Sequence, residues 1–150
     1  MTRPITAEET RALRAAVLRP GKRPDELVYP GDDHPAGLHV GAFESDHLVG
    51  IATIYPEPPP PEYADQLPPG EAFRLRGMAT LPEVRGAGHG RLLLEACFDH
   101  VRAHGARLLW CNARVVALDF YLRMGLQTIG PEFDLPDIGP HYVMWIDLGG

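Results

Sequence analysis

The chain has 150 residues, enough for one domain with a core of its own and no disulfide or metal staple. Hydrophobic residues make up 45% and charged residues 23%, the balance of a soluble globular protein. A formal net charge of −6 argues against a general nucleic-acid binder, whose phosphate contacts need a basic face, and no apolar run nears the ~18 residues of a membrane span. The start, Met1-Thr2-Arg3-Pro4-Ile5-Thr6, has no apolar segment of signal-peptide type, so a cytoplasmic protein is expected. Cys97 and Cys111 both sit in apolar segments and are expected as reduced core residues.

Thr6 followed by Glu9 predicts a capping box that opens a helix through Leu13, Ala16 and Val17, stopped at Pro20-Gly21. Residues 24–37 read as loop, ending in the acidic turn Gly31-Asp32-Asp33-His34-Pro35. A hairpin follows, with strands over 38–43 and 48–55 and a polar turn at 44–46. Residues 56–70, with four successive prolines at 58–61, read as an exposed, stiff loop, either a connector or a lid over a binding site.

A strand is predicted over 72–80, then a glycine turn, then a helix to His104 closed by Gly105. On that helix Leu93, Leu94, Cys97, Phe98 and Val101 share one face, with Arg91, Glu95, Asp99 and Arg102 opposite. Residues 108–111 form a short buried strand, which makes a βαβ unit with 72–80 and predicts two parallel neighbours. A shorter helix over 115–124 ends at Gly125. Closing strands at 126–130 and 141–148 flank a loop over 131–140. The class is α/β with a mixed sheet, in a single domain spanning 1–150.

The turn Arg85-Gly86-Ala87-Gly88-His89-Gly90 lies between a strand and a helix N-terminus. Glycine tolerates positive φ and has no Cβ, so successive amides can converge on an anion, and the helix dipole adds partial positive charge there. A phosphate or pyrophosphate ligand is expected. A dinucleotide turn requires G-x-G-x-x-G and an acidic residue at the end of the next strand; here position 91 is arginine and that strand ends Trp110-Cys111-Asn112. A Walker loop fails as well, since no G-K-[ST] follows.

The R-x-x-G-x-G pattern of Arg85, Gly88 and Gly90 resembles the cofactor motif of the GCN5-related N-acetyltransferases (GNAT). Ala117-Leu118-Asp119-Phe120-Tyr121-Leu122-Arg123-Met124-Gly125-Leu126 is similar to the family's A-x-x-F-Y-x-x-x-G-F helix. Gly139-Pro140-His141-Tyr142-Val143-Met144 resembles the tail of its small bacterial members, and motif order agrees from about residue 48 to 148. The resemblance implies a mixed, mostly antiparallel sheet with a central, splayed pair of parallel strands, flanked by helices. It implies acetyl-CoA or another acyl-CoA as co-substrate, with its pyrophosphate on the amides from Arg85 through Gly86, Ala87, Gly88 and His89 to Gly90, beside Arg91. The pantetheine arm would lie along Met78, Ala79 and Thr80, and Gly77 would mark the bulge where the splay begins.

Tyr121 matches the family's general acid, a phenol that donates to the departing sulfur; half-buried helix packing is the alternative reading. The base is open among His141, Asp33, Glu57 and Glu71. His141 is favoured as base or acceptor contact because the matching tail strand borders the acceptor side in the family. Seven residues before the tyrosine the family often places an asparagine near the cofactor. Here that position is Arg114, with Asn112 two residues earlier; both are kept as cofactor-side candidates, and the asparagine's role is carried to neither. Arg74 and Arg76 alternate on what reads as a central strand, where two cations are costly unless solvated or paired. They are either surface or ion-paired residues, or they recognise an anionic group on the acceptor.

His100 and His104 have helical zinc spacing but no evident third ligand, so no metal is expected. The expectation is an acyl-CoA-dependent N-acyltransferase that transfers acetyl directly to a primary amine in a ternary complex. A coenzyme-sensing or partner-binding module of the same fold is the alternative. A small-molecule amine is favoured over a protein as acceptor, with residues 20–37, 56–70 and 131–140 as its loops; nucleic acid and membrane are not expected partners. Homodimers are common in the family, and no sequence feature here establishes one.

Overall fold

The computed structural model describes residues 1–149 and contains seven strands and three α-helices among them. Strands β1 (Thr2–Pro4), β2 (Leu38–Glu44), β3 (His47–Pro56), β4 (Ala72–Thr80), β5 (Leu108–Arg114), β6 (Gln127–Leu135) and β7 (Gly139–Asp147) hydrogen-bond in the order β1-β2-β3-β4-β5-β7-β6. Helices are α1 (Ala7–Leu13), α2 (His89–Ala103) and α3 (Leu118–Arg123). The parallel pair is β4 with β5, and its ladder covers Ala72, Phe73 and Arg74 against Leu108, Leu109 and Trp110. The pairs β1–β2, β2–β3, β5–β7 and β6–β7 are antiparallel, which gives the mixed, mostly antiparallel α/β class expected above. No helix among the described residues is long and apolar enough to cross a membrane.

The chain divides into two compact units, Met1–Tyr55 with Leu75–His100, and Pro56–Arg74 with Val101–Gly150. In the first unit the capping box forms as read. The Thr6 hydroxyl accepts from the Glu9 amide at 3.2 Å, and the Glu9 carboxylate accepts from the Thr6 amide at 2.9 Å. The predicted α-helix does not run to Val17, because Arg14–Leu18 winds as a π-helix. Its wider turn accompanies a fully buried Arg14, whose side chain is drawn to a partner 18 residues away. Ile5, Leu13, Phe43, Ile51 and Ala79 form this unit's cluster. On α2, Leu93, Leu94, Cys97, Phe98 and Val101 are all buried, the face that the periodicity indicates. Fully burying such an aliphatic or aromatic side chain contributes about 1.5–3 kcal/mol.

In the second unit Leu67, Ala72, Leu108, Trp110 and Val143 cluster. Three expectations change here. Residues 131–140 are not a loop: β6 and β7 reach through them and leave a turn at 136–138. Pro131 is accommodated because β6 is an edge strand whose register shifts between Ile129 and Phe133. The 56–70 segment is largely exposed, as read, but it carries a 3-10 turn at Pro61–Gln66 and Leu67 after it is buried. The strand begun at Leu108 also extends past Cys111 to Arg114, because antiparallel pairing with β7 continues to His141.

Candidate active site

In the first unit the turn before α2 has the backbone that an anion cradle needs. Gly86 and Gly88 both adopt φ 89°, a region that L side chains rarely enter, and neither would meet an atom within 4 Å if a Cβ were added. Conformation, not space, requires glycine at both positions. Local backbone bonds close on Arg85, Ala87 and Leu92. The first-turn amides of His89, Gly90 and Arg91 have no intrahelical acceptor, and residues 85–88 are exposed. His89 departs from a simple cradle role. Its ring is buried and its Nε2 lies 2.8 Å from a Glu44 carboxylate oxygen, while buried Nδ1 has no partner. Its backbone amide remains in the turn. Upstream, β4 carries Met78, Ala79 and Thr80, and the Leu81 amide donates to Val49 at 2.9 Å.

The same unit holds a cluster of cations and aromatic rings that no motif announces. Arg14 donates to Asp32 through both terminal nitrogens, to the Leu27 carbonyl at 2.8 Å and to Thr53 Oγ1 at 3.0 Å. Its guanidinium lies 3.8 Å from the Tyr29 ring centre, and that of Arg76 lies 4.3 Å from the same centre. Burial pushes the Tyr29 phenol up by more than the charges of Arg14 and Arg76 pull it down. His39 bridges Thr53 Oγ1 and the Asp32 carbonyl, at 2.8 and 2.9 Å. Gly77 has φ 67°, and a Cβ there would come 2.8 Å from Tyr29, so both its backbone and this close approach favour glycine. A sequence signal for the cluster does exist: Arg14 occupies the apolar stripe of Thr10, Leu13 and Val17, where a charge needs a long-range partner.

In the second unit Tyr121 is buried, 8% exposed, with the Phe120 ring edge-on at 5.2 Å. Its carbonyl accepts from Leu126 at 3.0 Å while Leu122 accepts from Gly125, whose φ is 98°. This Schellman ending fixes the turn that carries the phenol. His141, 3% exposed, pairs with Arg114 across β5–β7, and its ring lies tilted beside Phe133 with centres 5.8 Å apart. Its Nδ1 donates to the Gly139 carbonyl at 2.7 Å, so a neutral ring carries its lone pair on Nε2. Asn112 faces Val143 in register, and its buried Oδ1 has no partner, the kind of orphan that a ligand donor would satisfy.

Arg74 belongs to this unit and is paired. It donates to Glu57 at 2.9 Å, lies 5.1 Å from the Trp110 ring centre, and Trp110 donates its indole N–H to the Glu57 carbonyl at 2.9 Å. Glu57 and Glu71 line one small cavity with Pro56, Pro58, Gly70 and Ala72, while Asp33 is exposed in the first unit. His100 donates to the Ala36 carbonyl at 2.8 Å, and His104 meets the Phe73 ring at 5.7 Å.

The model of the Acetyltransferase (GNAT) family matches residues 7–126. The chain is 33% identical over 144 residues to the uncharacterized N-acetyltransferase YitI of Bacillus subtilis (strain 168), covering 96% of this chain and 93% of that protein. A putative N-acetyltransferase from Lactobacillus plantarum superposes with a TM-score of 0.72 at 20% identity, over 98% of both chains. An aminoglycoside 6'-N-acetyltransferase, solved with coenzyme A, gives 0.69 at 13% identity over 99% of this chain and 97% of its own. The chain belongs to the GNAT family, and its enzyme class is N-acetyltransferase.

Proposed function

We propose that the protein is a single-domain acyl-CoA-dependent N-acyltransferase that moves acetyl from acetyl-CoA to a primary amine by direct transfer in a ternary complex. The observation that carries this reading is the cradle: Gly86 and Gly88, alternate residues both at φ 89°, lead into a 15-residue helix in a chain of this family. Amides of residues 85–90 would hold the pyrophosphate, and Met78 and Thr80 would offer backbone groups to the pantetheine arm. The coenzyme A bound to the aminoglycoside 6'-N-acetyltransferase supports that choice of ligand.

In the transfer, the amine nitrogen forms a bond to the thioester carbon and the carbon–sulfur bond breaks. The proton released from nitrogen goes to a base, for which His141 Nε2 is suited by its tautomer. Tyr121 gives its phenolic proton to the leaving thiolate. Holding amine and thioester in line supplies much of the acceleration. A small amine in the cytoplasm is the proposed acceptor.

Coenzyme A release over a panel of primary amines tests this reading. Tyr121→Phe removes one hydroxyl and no packing, and is expected to lower kcat about 100-fold or more while coenzyme A still binds. Full activity of that variant on every accepted amine would refute the phenol's role as acid.

A further inference from the structure

We infer that Arg76 anchors an anionic group, a carboxylate or a phosphate, carried by the amine acceptor. The inference rests on the acyltransfer reading above and concerns what that reaction accepts. Arg74 and Arg76 are equivalent in the sequence, but their surroundings differ. The charge of Arg74 is answered by Glu57 at 2.9 Å. Arg76, only partly exposed, meets the Tyr29 ring and the Tyr55 hydroxyl, the latter at 3.5 Å, and no carboxylate among the described residues pairs with it.

The neighbouring acid cannot serve it. Asp32 accepts from both terminal nitrogens of Arg14 and from the Tyr29 amide at 3.0 Å. Around Tyr29 there are thus two guanidiniums, Arg14 and Arg76, and one carboxylate, leaving one positive charge uncompensated within a chain of net charge −6. Half-burying a cation without a counter-charge is unfavourable, and a bound anion would reverse that.

The platform is also held in place. Arg14 lies over the Tyr29 ring, a Cβ at Gly77 would crowd that ring, and a Cβ at Gly31 would overlap the Tyr55 ring, so both rings are closely packed. A guanidinium laid over an aromatic ring keeps its N–H donors at its edge, available to an anion in its own plane. Arg76 precedes Met78, the first pantetheine-side position of β4, by two residues, a reach of at most about 7 Å along the chain. That separation suits an amine and an anion on one small molecule.

The test compares matched acceptors: 5-aminopentanoate with 5-aminopentanamide, and O-phosphoethanolamine with ethanolamine, using coenzyme A release and, separately, calorimetric binding of coenzyme A. For at least one pair, kcat/KM is expected to favour the anionic member by roughly 10- to 100-fold, chiefly through KM. The carboxylate and phosphate arms say which anion is taken. Arg76→Gln should erase that ratio and Arg76→Lys should keep part of it, in variants whose melting shows them folded. A ratio that survives Arg76→Gln, or coenzyme A binding without preferential turnover of an anionic member, overturns the anchor and leaves the acyltransfer reading standing. Absence of coenzyme A binding overturns that reading, and the anchor with it.

Discussion

Arg14 holds Asp32 with both arms, at 2.8 and 2.9 Å, and their side chains are 0% and 2% exposed. Removing one partner strands the other charge out of water. Asp32→Ala is therefore expected to cost about 3–5 kcal/mol in urea unfolding. The paired change Arg14→Met with Asp32→Leu should cost much less, because nothing charged stays buried. Equal losses in the single and double variants would show that the pair itself, not the orphaned charge, sets the cost.

The same pair makes stability depend on acid. Burial alone would raise the Asp32 carboxyl, but the Arg14 hydrogen bond, the Tyr29 amide and the charges of Arg14 and His39 outweigh it and hold the group below its ordinary 3.8. A carboxyl lowered in the folded state contributes stability above 3.8 and loses it as pH falls through the lower folded value. Urea midpoints taken downward from about pH 6 should thus fall more steeply for the native chain than for Asp32→Asn. Parallel profiles would count against the assignment.

Replacing Gly88 by alanine meets no atom, yet forces an L residue to φ 89°. Such strain costs about 1–3 kcal/mol, and the turn relieves it by rotating an amide away from its ligand. The expected result is a KM for acetyl-CoA raised about tenfold or more, with a smaller drop in Tm. An unchanged KM would remove the cradle from cofactor binding.

Cys97 and Cys111 are buried, and burial pushes both thiols up to about 12; for Cys111 the Arg74 charge offsets this only in part. Iodoacetamide should leave both unmodified in the folded protein near pH 8 and modify both in guanidinium chloride. Rapid modification of the folded chain would mean that its core opens on the timescale of the reaction.

Where local chemistry decides the structure, the sequence was enough. Thr6 with Glu9, the buried face of α2, and Gly105, whose φ of 72° closes that helix, all act within a few residues of themselves. Elements that depend on partners far along the chain were harder to read. Thr2–Pro4 is too short and too polar to register as a strand, yet it pairs with residues 40–42. Pro131 looks like a loop residue, and only the edge position of β6 makes it compatible with a strand. Among the candidate residues, the glycine turn and Tyr121 were visible because their motifs are contiguous. The contrast between Arg74 and Arg76 was not, since it is created by Glu57, Tyr29 and Tyr55, residues 17, 47 and 21 positions away at most.

Trp110 and Trp145, the chain's two tryptophans, face each other in register across β5 and β7, and Trp110 donates its indole N–H to Glu57. Both lie in the second unit, and the first has none. The protein therefore carries an optical label on one of its units without any engineering. Indole emission follows the second unit, whereas far-ultraviolet circular dichroism averages over both. Denaturation curves that coincide by the two probes mean one cooperative structure, and curves that separate give the order in which the units come apart.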